Sequence, residues 1–301
     1  MLEIDSAELQ KLGNQAIAEG DDEHALMYFE EAYSKEQSFA LNIKLAELYT
    51  QHEQNELAND LVHEYVAEYG SSTIEAQRIF INACLNANAF IDARQFIYMN
   101  HLDSGFLEQV TESENHFRDT QQAAVLENKK SFYHLSDAPM GQQSQIVRRA
   151  KHLPRPEFLF CAKYILIDPF AHQLSRVSVL EELMKLGVSE EIEMMSLIGQ
   201  HERVVPNQIP FLTQQSKFKA VMNLLANSPL ANDPTQFEIL KQQVNLCLML
   251  MMPNLDQAIS DVKVWTEQTL LMFGMEFSTT DTESGAQKEW RDALNQALMT
   301  L

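Results

Sequence analysis

The sequence predicts an all-α protein built from paired helices, and composition, helical periodicity and an internal repeat support this class. Good helix formers such as Ala, Leu, Glu, Gln and Met are plentiful among the 301 residues, whereas glycine and proline occur nine times each. Hydrophobic residues make up 45% of the chain and recur at helical spacing along most of it. The chain can bury a substantial core, so disorder of the whole protein is not expected.

An internal repeat is predicted in the N-terminal third. Helical periodicity in residues 9–16 breaks at Gly20 and resumes at Ala25, which predicts two short helices joined by a tight turn. Two further helical hairpins follow at similar spacing. The alanines that open the three second helices, Ala25, Ala58 and Ala93, are 33 and 35 residues apart. A spacing of this size is typical of solenoid repeats, so we expect an αα-hairpin solenoid.

These positions resemble the tetratricopeptide repeat family, whose unit has about 34 residues. The matching residues are Leu12-Gly13, Ala25, Phe29 and Ala32 in the first unit, Leu45-Ala46, Tyr49 and Ala58 in the second, and Ala93 in the third. The resemblance covers residues 5–100. It lacks the family's first-helix tryptophan, and no proline occurs before Pro139 to close a repeat. The resemblance implies a concave groove, lined by the first helices, that holds an extended peptide or a helix.

The family's lining positions can be carried over through the Leu12-Gly13 and Leu45-Ala46 anchors and, more loosely, through Ala93 in the third unit. They fall on Gln10, Asn14, Ile17, Ile43, Lys44, Glu47, Thr50, Arg78, Asn82 and Leu85. The resemblance implies peptide binding by the polar members of this set, because an asparagine amide both donates to and accepts from a peptide backbone. The two-lysine carboxylate clamp of chaperone-binding members is not matched, since Gln10 stands where a lysine would be needed.

The net charge indicates the chemistry of the partner. The chain has 22 basic and 43 acidic residues, a net charge of −21, and residues 1–100 alone hold 18 acidic and 5 basic residues. Such a field repels phosphate backbones and favours basic partners, although it also keeps a helical surface soluble. We therefore expect a protein or peptide partner that is neutral or basic, and no nucleic acid. The oligomeric state is left open.

A cytoplasmic protein without a membrane span is expected. The N-terminal sequence Met1-Leu2-Glu3-Ile4-Asp5 has neither the basic start nor the apolar stretch of a signal peptide. The longest apolar run, Leu246 to Met252, is far shorter than the roughly 20 residues that cross a bilayer. The three cysteines, at 84, 161 and 247, are predicted to be buried thiols, because they are too widely spaced for a metal knuckle and odd in number for a disulfide framework.

Four regions are predicted along the chain: tetratricopeptide-like repeats (1–102), a connecting long helix and helical array (103–187), a β-hairpin with C-terminal helices (188–274), and a mobile tail with a short helix (275–301). The long helix spans 103–130, and further helices are expected over 142–152, 157–167, 174–186, 213–227, 234–252, 255–273 and 287–301. The β-hairpin, near 191–205, is closed at Gly199 and serves either as a docking strand or as a clasp.

Two weaker resemblances concern the rest of the chain. Asp168-Pro169 followed by Arg176 is similar to HEAT-type repeats, so the C-terminal region is expected to be a HEAT-like or irregular helical array. The whole chain is similar to a group of bacterial tetratricopeptide proteins that join N-terminal repeats to a helical C-terminal region. Neither resemblance implies a reaction.

No motif predicts catalysis, a metal or a cofactor. The glycines are too far apart for a phosphate-binding loop, and no Gly-x-Ser-x-Gly elbow occurs. The nine histidines are dispersed, and His63-Glu64 and His201-Glu202 lack the second histidine of a zinc-binding helix. We therefore expect a non-catalytic scaffold or adaptor. An unrecognised enzyme with a site in the C-terminal half is the alternative, because residues far apart in sequence can converge in space.

The one concentrated basic feature is formed by Arg148, Arg149, Lys151 and Arg155. It would contact RNA or phosphate if the chain were a nucleic-acid-binding helical protein. Aromatic residues do not interleave with these cations, and the chain as a whole repels nucleic acid. The favoured interpretation is a counter-charge for the acidic N-terminal repeats.

Overall fold

A computed structural model describes residues 4–275 and 282–301, and this part of the chain is all-α apart from one two-stranded sheet. The helices are α1 Ser6–Glu19, α2 Asp22–Lys35, α3 Phe39–Gln51, α4 Asn55–Val62, α5 Val66–Ser71, α6 Ile74–Asn86, α7 Phe90–Met99, α8 Ser104–Thr120, α9 Gln122–Tyr133, α10 Met140–Ala150, α11 Arg155–Ile167, α12 Gln173–Lys185, α13 Ser216–Ala226, α14 Pro234–Leu250, α15 Leu255–Ala258, α16 Val262–Met272 and α17 Gly285–Met299. The strands are β1 Ile192–Met195 and β2 His201–Val204. The predicted fold class is confirmed.

None of the described helices is both long and apolar enough to cross a bilayer.

The three N-terminal hairpins repeat in their backbone as well as in their sequence. Each first helix is followed by a residue in the left-handed region: Gly20 at φ 76°, Glu53 at φ 58° and Asn88 at φ 56°. Five residues later, the alanine that opens each second helix is completely buried. A left-handed residue satisfies the last carbonyls of a helix, and alanine lets the next helix approach closely. The 33- and 35-residue spacing is therefore a structural repeat.

The chain forms two compact units. Unit 1 comprises Met1–Lys129 and Arg149–Phe158, and unit 2 comprises Lys130–Arg148 and Leu159–Leu301. The predicted boundaries at residues 102 and 187 thus lie inside the two units. Helix α8, which follows residue 102, packs on α6 and α7 within unit 1.

A buried amide joins four helices of unit 1. Asn42 on α3 is completely buried, and its Nδ2 donates to the Tyr33 hydroxyl at 3.1 Å and to the Leu61 carbonyl at 2.9 Å. Its Oδ1 accepts from the Tyr69 hydroxyl at 2.9 Å. Burial raises the pKa of the Tyr69 phenol. Because this amide uses both its donors and its acceptor, it fixes the positions of α2, α4 and α5 around α3.

Residues Arg149–Phe158, here called the return segment, complete unit 1. The Lys151 carbonyl accepts a hydrogen bond of 3.1 Å from the backbone N–H of Ile91. His152 Nδ1 lies 3.0 Å from the carbonyl oxygen of Ala87. Both partners flank the start of α7, so the return segment is held against the third hairpin.

The predicted β-hairpin is confirmed in unit 2. Its strands pair antiparallel, from Ile192 opposite Val204 to Met195 opposite His201, and Gly199 takes the left-handed conformation at φ 77°. Ile192 and Met194 are buried. On the second strand, Glu202 Oε2 accepts a hydrogen bond of 2.7 Å from Asn254 Nδ2. These contacts all lie within unit 2, and the choice between docking strand and clasp stays a prediction.

Three helix predictions need correction. The long helix predicted over 103–130 is two helices, because Gln121 leaves the helical conformation with ψ 41°. The helix predicted over 255–273 is also broken, since Asp261 caps α16 by accepting from the backbone N–H of Val264 at 3.0 Å. The predicted terminal helix is present, but its Trp290 and Leu294 are buried, so residues 285–299 form a packed helix and not a mobile tail. Residues 276–281 of the predicted tail lie outside the described residues.

Candidate protein-binding crevice

In unit 1, α6 and α8 face each other along a crevice. Arg78 and Asn82 lie one turn apart on α6. The Arg78 Cζ atom lies 6.0 Å from the ring centre of Phe106 on α8, and Asn82 Oδ1 accepts a hydrogen bond of 3.0 Å from Gln109 Nε2. Residues three or four apart share a helix face, so one face of α6 meets one face of α8. The structure thus brings two predicted peptide-binding residues to the same crevice.

A hollow with a volume of about 580 Å³ lies farther along the same two helices. Leu85, which continues the lining face of α6, and Phe117 on α8 are its half-buried apolar residues. The complete lining consists of Leu85, Asn88, Glu112, Ser113, His116, Phe117, Thr120 and Gln121. Pockets of about 300–1,000 Å³ that combine apolar surface with a few polar groups are typical of binding sites.

The other predicted peptide-binding residues lie on α1 and α3. Asn14 and Glu47 are exposed, whereas Gln10 and Lys44 are half-buried. Gln10 Nε2 donates to Ser6 Oγ within α1 at 3.3 Å. Helix α3 contacts α6, whereas α1 packs chiefly on α2. Lys44 and Glu47 are therefore on the helix next to the crevice wall, and Gln10 and Asn14 are farther along the array.

The sequence analysis missed the α8 wall of the crevice, because it assigned this stretch to a connecting helix. A signal for it exists: Phe106 and Val110 stand four residues apart, and both are buried. Such spacing indicates a helix with one face against a core. The residues that were missed are Phe106, Gln109, Glu112, Ser113, His116 and Phe117.

Two residues of the basic cluster, Lys151 and Arg155, make contacts within unit 1. Lys151 Nζ lies 2.9 Å from Asp92 Oδ1, and both side chains are mostly buried. The backbone N–H of Arg155 donates to Glu114 Oε1 at 3.1 Å. Lys151 thus pairs with an acidic residue of the third hairpin. Arg148 and Arg149 are exposed on α10.

Two ion pairs fasten the crevice wall α8 to its neighbours. Arg94 on α7 binds Glu114 through two hydrogen bonds, Nε to Oε1 at 2.7 Å and Nη2 to Oε2 at 2.8 Å. Arg118 binds Glu157 of the return segment in the same bidentate manner, at 2.9 and 3.0 Å. Burial alone would raise the pKa of Glu157, but the hydrogen bonds to Arg118 lower it below its ordinary value. Bidentate pairs of this kind are among the stronger polar contacts in proteins, so α8 is firmly positioned.

Metal ligands and buried carboxylates are the remaining groups that could carry chemistry. In the described ranges, no group of three or more His, Cys, Asp or Glu side chains could hold a metal ion. Burial raises the pKa of Glu202, and the hydrogen bond from Asn254 offsets only part of this effect. Glu202 belongs to the hairpin and lines neither of two hollows described in unit 2, one between α13 and α14 and one beside Ile198 and α17.

The fold and the crevice define a class: an all-α protein of helical hairpins that presents an open, polar-rimmed surface. Comparison with protein-family models, with curated proteins and with solved structures found no significant match. The functional proposal therefore depends on the residues of this chain.

Proposed function

We propose that this chain is a non-catalytic scaffold or adaptor that binds a protein segment in a tetratricopeptide-like groove. The observation that supports it best is the crevice between α6 and α8, where Arg78 lies over Phe106 and Asn82 bonds Gln109, with the hollow of about 580 Å³ farther along the same helices. Together they combine amide groups with apolar surface.

The polar groups of the crevice suit a peptide backbone. The bond between Asn82 and Gln109 uses the Asn82 oxygen and one Gln109 N–H. The Asn82 NH₂ group and the Gln109 carbonyl oxygen take no part in that bond, so they can donate to and accept from a bound chain. Leu85 and Phe117 offer apolar contact to alternate side chains of the segment.

Charge favours a neutral or basic segment. Glu47 on α3 and Glu112 in the hollow are exposed, and residues 1–100 carry most of the net charge of −21. Long-range attraction raises association rates more than final affinity. Added salt should therefore slow capture of a basic segment, because the Debye length falls to about 3 Å at 1 M.

The net negative charge also argues against nucleic acid as the partner, because it repels phosphate groups. In addition, Lys151 of the basic cluster is already paired with Asp92. All three cysteines are buried as thiols, which suits the reducing cytoplasm that we propose as the location.

The test is affinity capture from native lysate with the wild-type chain and two variants. In the variant Asn82→Ala/Gln109→Ala, truncation of the crevice amides should weaken binding by about 1–3 kcal/mol, the cost of leaving buried polar groups of the complex unpaired. The matched control Gln15→Ala removes an amide that bonds Glu19 within α1. Equal recovery of the same proteins by all three chains would exclude the crevice as the binding site.

The predicted contribution of α1 is tested separately. Asn14→Ala should weaken capture if the bound segment extends along the array from α6 to α1. Loss of binding in Asn82→Ala/Gln109→Ala without any loss in Asn14→Ala would restrict the site to the α6–α8 crevice.

A further inference from the structure

A second concave surface lies in unit 2, between α13 and α14. It encloses about 620 Å³, and its apolar residues are Phe218, Met222 and Ala226 on α13 and Phe237 on α14. Asn223, Glu238, Lys241, Gln242 and Asn245 complete the lining. The volume is that of a binding pocket, and an apolar hollow with a polar rim marks an interaction site.

The spacing of the lining residues matches a helical ligand. On α13 the lining positions 218, 222 and 226 are four residues apart, and on α14 the positions 237, 241 and 245 repeat the same spacing. The first and last positions of each stripe are eight residues apart, about 12 Å along the helix. Two such stripes form a groove in which the apolar face of a third helix can pack, with anchors at i, i+4 and i+7.

The side chains of this groove can adjust to apolar partners of different shape. Phe218, Met222 and Phe237 are half-buried, and Ala226 is exposed. Methionine has a flexible, polarisable side chain that adjusts to varied apolar partners. Ala226 leaves room between the larger residues for an inserted leucine or phenylalanine.

The charged residues beside the groove indicate the sign of the ligand's charge. Helix α13 contains Lys217 and Lys219 and no acidic residue, although the whole chain has a net charge of −21. Lys219 is exposed and stands four residues before the lining residue Asn223, so it lies on the same side of α13, beside the groove. Lys241 stands in the opposite wall. Lys241 also pairs with Glu238 at 3.1 Å, an exposed pair of small energy that a ligand carboxylate can compete with.

We propose that α13 and α14 form a docking groove for an amphipathic helix of a partner protein, with acidic residues beside its apolar stripe. The apolar stripe fills the space among Phe218, Met222 and Phe237, and the carboxylates face Lys219 and Lys241. This surface is separate in sequence from the α6–α8 crevice, so the full chain has two binding surfaces with opposite charge preference.

The experiment measures binding of a labelled helical peptide to the full chain by fluorescence anisotropy. The peptide has leucines at i, i+4 and i+7 and glutamates flanking this stripe. A second peptide has the same leucines and flanking lysines, and a third has the glutamates with alanines in place of the leucines. We expect the glutamate–leucine peptide to bind about fivefold more tightly than the lysine–leucine peptide and the alanine peptide not to bind.

Variants locate the site. Ala226→Trp fills the groove from an exposed position and should weaken binding about tenfold or more. Asn223→Trp, at a second exposed lining position, gives the same test if the first variant folds poorly. Lys219→Glu should weaken binding about fivefold, whereas Lys217→Glu makes the same charge change on the opposite face of α13 and should leave binding unchanged.

Four results would overturn the proposal. The first is failure of the glutamate–leucine peptide to bind at about 100 µM, a concentration typical of weak peptide ligands. The second is equal affinity of the two leucine peptides. The third and fourth are equal effects of Lys219→Glu and Lys217→Glu, and unchanged binding in groove-filling variants that fold. A dimer that dissociates in Ala226→Trp would instead identify a second copy of this chain as the occupant. None of these measurements depends on the crevice in unit 1, so this proposal and the proposed function stand or fail independently.

Discussion

At the scale of the residue, Gly13 determines how closely α1 can approach α2. A Cβ atom added at this position would lie 2.7 Å from the Phe29 ring, which is itself almost completely buried. Contacts shorter than 3.0 Å force the ring or the helix to move. Buried aromatic rings in a dense core have little room to do so.

Gly13→Ala is therefore expected to lower the free energy of unfolding by about 1–3 kcal/mol, because the overpacked ring outweighs the better helix propensity of alanine. The matched control is Gly141→Ala, where nothing lies within 4 Å of the new Cβ in α10. It should leave stability unchanged or raise it by up to about 1 kcal/mol. Urea unfolding, monitored by circular dichroism, measures the free energy of unfolding of both variants. Similar changes of this free energy in the two variants would contradict the prediction.

Glu202 supplies a prediction about pH. Burial raises its pKa in the folded state, so between its unfolded and folded pKa values the folded protein binds more protons than the unfolded one. The free energy of unfolding should then fall as pH rises through that interval. Its Oε1 atom is buried, and no described group bonds it.

Glu202→Gln should thus stabilise the protein at pH 7, by roughly 1 kcal/mol, and the difference from wild type should shrink by pH 4, where the carboxyl is protonated. Glu193→Gln, on an exposed position of the same hairpin, is the control and should shift stability by less than about 0.5 kcal/mol at either pH. Thermal unfolding at the two pH values gives the answer. A destabilised Glu202→Gln at pH 7 would show that the hydrogen bond from Asn254 outweighs the cost of burying the carboxylate.

At the scale of the element, the Arg94–Glu114 pair anchors α8 to α7. The Arg94 side chain is 13% exposed and the Glu114 side chain 4% exposed. Removal of one partner leaves a charge buried without its counter-ion, whereas removal of both leaves an apolar contact of similar volume.

Arg94→Met is expected to cost about 3–5 kcal/mol of unfolding free energy, and the double variant Arg94→Met/Glu114→Met should recover at least about half of it. The Lys11–Glu8 pair is a control, because its side chains are 75% and 56% exposed. Lys11→Met should change stability by about 0.5 kcal/mol or less. A double variant no more stable than Arg94→Met would mean that Glu114 acts mainly through the Arg155 N–H.

The helices and strands that were predicted correctly have ends at which neighbouring residues in the sequence signal a break. The breaks after Gly20, around Glu53 and before Ala93 coincide with polar or left-handed residues next to small buried ones, and Gly199 marks the β-hairpin. The break at Gln121 has no such marker. It interrupts a polar stretch in which helical periodicity continues on both sides, so a single long helix was predicted.

The crevice was predicted on one wall only. Arg78 and Asn82 follow from the repeat pattern, which depends on spacing within about 34 residues. The bond between Asn82 and Gln109 joins residues 27 positions apart and links the third hairpin to a helix outside the recognised repeats. No local pattern encodes such a contact, because it depends on how successive helices pack.

At the scale of the whole molecule, unit 1 is discontinuous in sequence. Arg94 and Asp92 of the third hairpin have their ion-pair partners, Glu114 and Lys151, on α8 and the return segment. A fragment of residues 1–102 lacks these partners and also exposes the face of α7 that packs on α8.

We expect residues 1–102 alone to unfold at a lower temperature than residues 1–158 and to bind a hydrophobic dye, because the uncovered face exposes apolar surface. Circular dichroism melting and dye fluorescence of both fragments are the measurements. Equal melting temperatures and no dye binding would indicate that the three hairpins are self-sufficient.

The return segment also sets the order of events during biosynthesis. Glu157 follows its partner Arg118 by 39 residues, which at about 5–20 residues per second corresponds to a delay of about 2–8 s on the ribosome. Throughout that interval the third hairpin and α8 exist without their last contacts. A chaperone that recognises nascent apolar helices therefore has a window of seconds at this hairpin, and the window closes only when the return segment has been synthesised.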